Sequence, residues 1–308
     1  MKMSRRNALS AISLGALGLA APTSLAGKDS SAPAKFSYCL NTSTISGNNP
    51  GLLTYVEIAS SAGYDGIEIW VRDVEAALEA GHSASSLKKF IEDHGLRIEN
   101  AIGFAPWLVE GDAGFKQMEE EMQMLASIGC HRIAAPAAGV SADKPLDLFV
   151  AGEKYKKLLE LGRKTGVMPQ LEFWGSSNVL WHLGQVLMIA AVADDPDARI
   201  LPDVYHMFRG DSGFNALKLL RGDLIEVFHM NDYPASKARE EQGDSDRVYP
   251  GDGNAPIQKI LTDLKNMGGD KVLSLELFNR AYWKENPLEV AKTGLLKMKS
   301  LVGVLPDI

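Results

Sequence analysis

The sequence predicts an α/β protein of the (β/α)8 barrel class, built as a single domain. Three observations carry this. Short runs rich in β-branched and aromatic residues recur eight times, and each is followed by a longer stretch with helical apolar spacing. Five of the longer stretches stop at a glycine, as helices do: Ala62-Gly63, His94-Gly95, Ile128-Gly129, Thr165-Gly166 and Met267-Gly268. No G-x-G-x-x-G occurs, and an open doubly wound sheet uses fewer strands and usually a glycine-rich first turn.

In chain order, the predicted strands are 36–41 (FSYCLN), 66–70 (GIEIW), 97–104 (RIENAIGF), 132–137 (RIAAPA), 168–174 (MPQLEFW), 198–205 (ARILPDVY), 225–231 (IEVFHMN) and 271–278 (KVLSLELF). The helical patterns lie near 52–62, 85–94, 112–128, 146–165, 178–194, 215–221, 256–267 and 286–302. Residues 35–308 are read as the barrel and 27–34 (GKDSSAPA) as a linker. Residues 1–26 join a basic start, an Ala/Gly/Leu-rich middle and the small-residue end Ser24-Leu25-Ala26, the layout of a cleavable signal peptide. Ser4-Arg5-Arg6 before Asn7-Ala8-Leu9 looks like a twin-arginine export motif, so a periplasmic or secreted protein is expected. No lipid-bearing cysteine stands at the cut, so no membrane anchor is expected, and no apolar run approaches the ~20 residues of a span.

Charge narrows the partners. The chain carries −7, and removal of residues 1–26, with Lys2, Arg5, Arg6 and no acid, leaves −10. An acidic surface argues against nucleic acid or an anionic membrane as a partner. A small molecule is the expected ligand, and a homo-oligomer is left open. The two cysteines, Cys39 and Cys130, each lie at an apolar segment and read as buried, unpaired thiols.

In barrels of this class the chemistry gathers at the C-terminal ends of the strands. Four successive predicted strands carry an ionisable residue there inside an apolar run: Glu172 in QLEFW, Asp203 in LPDVYH, His229 in EVFHMND and Glu276 in LSLELFN. A buried carboxylate is costly to hold charged unless it is paired or bound to a cation. Four such groups at one mouth therefore call for a positive charge between them, and one divalent ion is the simplest. The set of three carboxylates and one imidazole suits Mn²⁺, Mg²⁺, Co²⁺ or Zn²⁺, with room for substrate oxygens. Each residue taken singly also fits a salt-bridged strand end.

These residues carry a family resemblance. LEFWG, PDVYHMF, FHMND, YPGDG and SLELFNRAYW together resemble the xylose-isomerase-like TIM-barrel superfamily, in its sugar isomerase and epimerase branch, over nearly the whole chain after residue 26. The resemblance implies that Glu172, Asp203, His229 and Glu276 hold one divalent ion, Mn²⁺ first among the candidates. It also implies that Glu172 and Glu276 move the proton. Such chemistry is coherent: an ion bridging a carbonyl and its neighbouring hydroxyl acidifies the C–H between them, and two carboxylates can take and return that proton.

The resemblance also places His206 on substrate oxygens and Arg247, in DRVYPGDG, on substrate. Side-chain alternation keeps positions 203 and 206 from facing inward together on a regular strand, so His206 is expected in the loop beyond it. Glu68 in GIEIW is a candidate for a sugar hydroxyl, or else a salt bridge toward a helix. Arg247, from the residues alone, reads more readily as a solvated surface residue. Trp70, Phe104, Trp107 and Trp174 fall at strand ends where a sugar ring can stack, and Asn231 and Asp232 are candidates to orient His229. His82, His94, His131 and His182 read as structural or exposed.

The expected function is a divalent-metal-dependent isomerase or epimerase of an unphosphorylated sugar or polyol ketone. The alternative on the same site is a lyase or dehydratase acting on a keto-inositol or 3-keto-glycoside. Phosphodiester cleavage is disfavoured, because predicted strands 2 to 4 end without histidine and the surface is acidic. A non-catalytic sugar-binding barrel is disfavoured by the cost of an idle cluster of buried acids.

Overall fold

In the computed structural model, which describes residues 32–306, the eight strands pair in parallel. They are β1 (Phe36–Asn41), β2 (Gly66–Trp70), β3 (Arg97–Ile102), β4 (Arg132–Ala135), β5 (Met168–Glu172), β6 (Ile200–Leu201), β7 (Val227–Met230) and β8 (Lys271–Leu275). Their order, β6-β5-β4-β3-β2-β1-β8-β7, is sequential around a ring. The ring nearly closes where single parallel bridges join Ile200 to Ile225 and Asp203 to His229. The signal-peptide and export reading of residues 1–26, and residues 27–31 of the linker, lie outside the described residues.

Nine helices among the described residues surround the sheet: α1 (Leu52–Ala62), α2 (Val71–Glu79), α3 (Ala84–Asp93), α4 (Ala113–Ser127), α5 (Leu148–Thr165), α6 (Leu183–Ala193), α7 (Val204–Arg209), α8 (Ile257–Asn266) and α9 (Pro287–Gly303). The larger apolar core lies between helices and strands and takes up Leu40, Ile67, Ile69, Leu171, Phe228, Met230, Leu273 and Leu275. A smaller cluster with Cys39, Ala134, Leu201, Val227 and Val272 fills the barrel interior. Strand alternation assigns residues to these two cores and does the same for the polar ones. On β8, Val272 belongs to the inner cluster and Leu273 and Leu275 to the outer, so Ser274 and then Glu276 share the inner face. The same phase places Asn41, Glu68, Asn100, Gln170, Glu172 and His229 inside.

Several predicted boundaries change. Strand 198–205 shrinks to two residues because Pro202 has no N–H for the ladder and Asp203 turns to cap α7, its Oδ1 accepting from the His206 N–H at 2.8 Å. Strands 97–104, 132–137, 168–174 and 271–278 stop two or three residues early, at Ile102, Ala135, Glu172 and Leu275. α2 is an unpredicted helix that follows β2 without an intervening turn, burying Val71, Val74 and Ala77 on one face. The predicted helix 215–221 is a short 3-10 segment, Asn215–Leu219. Cys39 and Cys130 are both buried and free.

Candidate active site

At the C-terminal mouth the polar inner face opens into a cavity of about 390 Å³. One wall is aromatic and apolar, with Trp70, Ile102, Phe104, Trp174 and Phe278; the other holds Glu172, His206, Asp244, Arg247 and Glu276, with Ser176 and Ser177 beside them. The Phe104 ring lies between Trp70, 5.4 Å away centroid to centroid, and Trp174 at 6.0 Å, and Phe104 is 42% exposed.

Asp203, His229 and Glu276 converge, each offering one ligand atom within 4.8 Å of the other two, and all three are buried. Glu172 lines the same cavity from β5 but stands outside this close trio. His229 Nδ1 lies 3.2 Å from Glu276 Oε2 and 3.6 Å from Asp203 Oδ2. Buried atoms here without a hydrogen-bond partner include His229 Nδ1, Glu172 Oε2 and Arg247 Nε. Buried polar groups are rarely left so, and an orphaned imidazole nitrogen among carboxylate oxygens fits a divalent ion. The residues present therefore suit the metal.

The charge argument made from sequence needs correction, because part of the positive charge comes from the protein. Arg247, which the residues alone made more readily a solvated surface side chain, is 1% exposed. Its Nη1 donates to Asp203 Oδ2 at 3.0 Å and Glu276 Oε2 at 2.7 Å, and its Nη2 to Asp244 Oδ1 at 2.7 Å. Burial alone would lift the Asp203 carboxyl, yet Arg247 above all, then His206 and His229, hold it well below the usual carboxylate range. Burial works against a proton on His229, but Glu276 and Glu68 hold that proton on well above the ordinary range. Glu172 has no such partner: burial, joined by Glu276, Glu68 and Asp203 and only partly opposed by His229, raises its pKa to about 8.

Asp203 and His206 are more closely tied than strand geometry predicted. With α7 starting at Val204, the i, i+3 spacing is that of a helix N-cap, and both side chains reach the site. Both ring nitrogens of His206 face donors, Nδ1 the Gly175 N–H at 3.2 Å and Nε2 the Arg247 Nη2 at 3.1 Å, and a neutral imidazole accepts from only one of them. Burial and the Arg247 charge keep this ring's pKa below the ordinary value, against the pull of Asp203.

Three other expectations move. Trp107 does not reach the cavity: it is fully buried, its Nε1 donates to the Pro136 carbonyl at 2.8 Å, and its ring packs on Tyr155. Glu68 neither lines the cavity nor faces a helix; it lies inside the barrel, 3.0 Å from His229 Nε2. Asn231 orients Asp203 rather than His229, donating to its Oδ2 at 2.9 Å, while Asp232 accepts the N–H groups of Gly251, Gly253 and Ala255 and so fixes the loop after β7. Trp70, Phe104 and Trp174 do line the cavity. Phe278 and Asp244 were missed from sequence. Phe278 repeats the inner phase of Glu276 two residues on, and Asp244 precedes Arg247 by three, so each had a spacing signal.

Comparisons with known proteins agree with this fold. The profile of the xylose isomerase-like TIM barrel family matches residues 56–301. An inosose isomerase of Bacillus velezensis is 26% identical over 278 residues, 86% of this chain and 96% of that protein. A 3-dehydroshikimate dehydratase of Pseudomonas aeruginosa is 24% identical over 257 residues, 78% of this chain and 38% of that protein. In structure, the IOLI protein, solved with a bound zinc atom, superposes with a TM-score of 0.80 at 21% identity, covering 88% of this chain and 100% of that one. The chain belongs to the xylose isomerase-like TIM barrel family.

Proposed function

We propose that this enzyme is a divalent-metal-dependent isomerase or epimerase of an unphosphorylated sugar or polyol ketone, with Glu172 and Glu276 as its proton-transfer pair. The observation that carries this is the free Oε2 of Glu172, buried at the cavity with no hydrogen-bond partner, while the convergent trio stands apart from it. Asp203, His229 and Glu276, with Glu172 as the fourth candidate, would hold the ion, Mn²⁺ first and Mg²⁺, Co²⁺ or Zn²⁺ otherwise. When bound, the ion polarises the substrate carbonyl and acidifies the adjacent C–H. Glu172 Oε2 takes that proton, and Glu276, the residue just after β8, returns one to the neighbouring carbon or the other face. His206 and the Arg247 guanidinium line the cavity as polar partners for substrate oxygens, and Trp70, Phe104, Trp174 and Phe278 offer apolar faces to ring C–H groups. The n-, h- and c-region pattern of residues 1–26 supports periplasmic or secreted action.

Incubating the Mn²⁺-loaded protein with keto-sugars in D₂O should place deuterium on the carbon next to the carbonyl. Glu172→Gln should slow that exchange about 10²- to 10⁴-fold. Absence of exchange with every ketose and keto-polyol offered would overturn the reading.

A second outcome on the same site is loss of a β-leaving group, giving a lyase or dehydratase on a keto-inositol or 3-keto-glycoside. The relatedness to a dehydratase favours it, as does Arg247, an N–H donor beside Glu276 where a departing oxygen needs stabilising. An ultraviolet-absorbing enone or a released aglycone separates it from isomerisation.

A further inference from the structure

Glu68 and His229 are both completely buried, and Glu68 is no part of the cavity wall. Its two oxygens face four donors. Oε1 meets His229 Nε2 at 3.0 Å and Asn100 Nδ2 at 2.7 Å; Oε2 meets Asn41 Nδ2 at 2.9 Å and the Ser274 hydroxyl at 2.5 Å. Both asparagine donors are themselves held. Gln170 donates to Asn100 Oδ1 at 3.1 Å, and Trp70 Nε1 and the Ser43 N–H donate to Asn41 Oδ1 at 3.3 and 3.0 Å. Asn41 Nδ2 also reaches Glu276 Oε1 at 3.1 Å, so one polar layer across β1, β2, β3, β5 and β8 braces two members of the convergent trio.

Only a carboxylate answers four donors with two oxygens; an amide in its place turns an N–H₂ toward at least one of them. With a proton held on Nε2 by Glu68, the other ring nitrogen of His229 is left without a hydrogen-bond partner, aimed at Asp203 and Glu276. We propose that Glu68 is the positioning residue of the ion site: by accepting the Nε2–H of His229 it presents Nδ1 to the ion. The inference rests on the ion-site reading above. It replaces the sugar-hydroxyl role expected for Glu68 from sequence, and it gives a reason for an acid at the floor of the barrel. A carboxylate behind a ligating imidazole fixes its tautomer and raises its basicity.

The test uses the protein with histidines labelled in ¹⁵N and loaded with Zn²⁺, a diamagnetic ion. The expected spectrum shows His229 protonated at Nε2 and coordinated through Nδ1. Zn²⁺ and Mn²⁺ affinities, measured calorimetrically, should fall about 10- to 100-fold in Glu68→Gln. In that variant the far-ultraviolet spectrum should be unchanged. Coordination through Nε2 in the wild type, or wild-type affinity in a folded Glu68→Gln, would overturn the inference while leaving the ion site standing. Failure of the wild type to bind any of the four ions would overturn both. If Glu68→Gln does not fold, the wild-type spectrum alone decides.

Discussion

Glu172 shows how one residue's surroundings set both its chemistry and its cost. An unperturbed glutamate titrates near about 4.3, whereas burial raises Glu172 to about 8 in the folded protein. Between those two pH values the native state holds a proton that the unfolded chain has lost. Stability therefore falls as pH rises from about 4 to about 8 and is flat beyond that range. Glu172→Gln removes this dependence. After dialysis against chelator, the variant should be more stable than the wild type at pH 8–9, by up to about 5 kcal/mol, and show little difference at pH 5. An unchanged melting difference across that range would mean that Glu172 titrates normally. At the same scale, Arg247 shows why exposure is hard to read from sequence. Nothing in DRVYPGDG marks it as buried, and its partners Asp203 and Glu276 lie 44 and 29 residues away along the chain.

At the scale of elements, the short helix α7 is the feature that reshapes the site. A proline and an aspartate end β6 after two residues, and the aspartate then serves as both N-cap and site residue. The fit of α7 against the loop after β5 depends on Gly175, where an added Cβ would lie 2.4 Å from the His206 carbonyl and 2.6 Å from the Gly210 nitrogen. Both obstacles are backbone, so one segment must shift. Gly175→Ala should destabilise the protein by about 1–3 kcal/mol, and by displacing His206 it should raise KM more than it lowers kcat. Thermal melts and steady-state kinetics check the two parts separately. The helix stops, by contrast, were legible. Gly63, Gly95, Gly129, Gly166 and Gly268 all take positive φ, the conformation that lets a chain leave a helix without a Cβ clash.

The whole molecule is a ring with a seam. β1 pairs with β8 over five residues and with β2 over three, while β6 offers only two residues and meets β7 through single bridges. Local opening follows the density of such contacts. Amide hydrogen exchange should therefore reach β6 and α7 before β1, β2 and β8; equal protection across the ring would show that packing, not pairing, holds the seam. That seam lies at Asp203 and His229, so ion binding should raise protection there more than elsewhere.

The sequence by itself determined the barrel and the eight places along the chain where its strands fall, because these rest on local periodicity and glycine punctuation. It also determined which ionisable residues stand at the ends of strands 5 to 8, since alternation along a strand is a one-dimensional rule. Only the tertiary structure decided what those residues touch. The distance of Glu172 from the convergent trio, the burial of Arg247 among the acids, the place of Glu68 beneath His229 and the removal of Trp107 from the cavity all depend on residues far apart in the chain. Ring closure brings such residues together, and their pairing is a matter of shape and charge across strands that no spacing within one strand encodes.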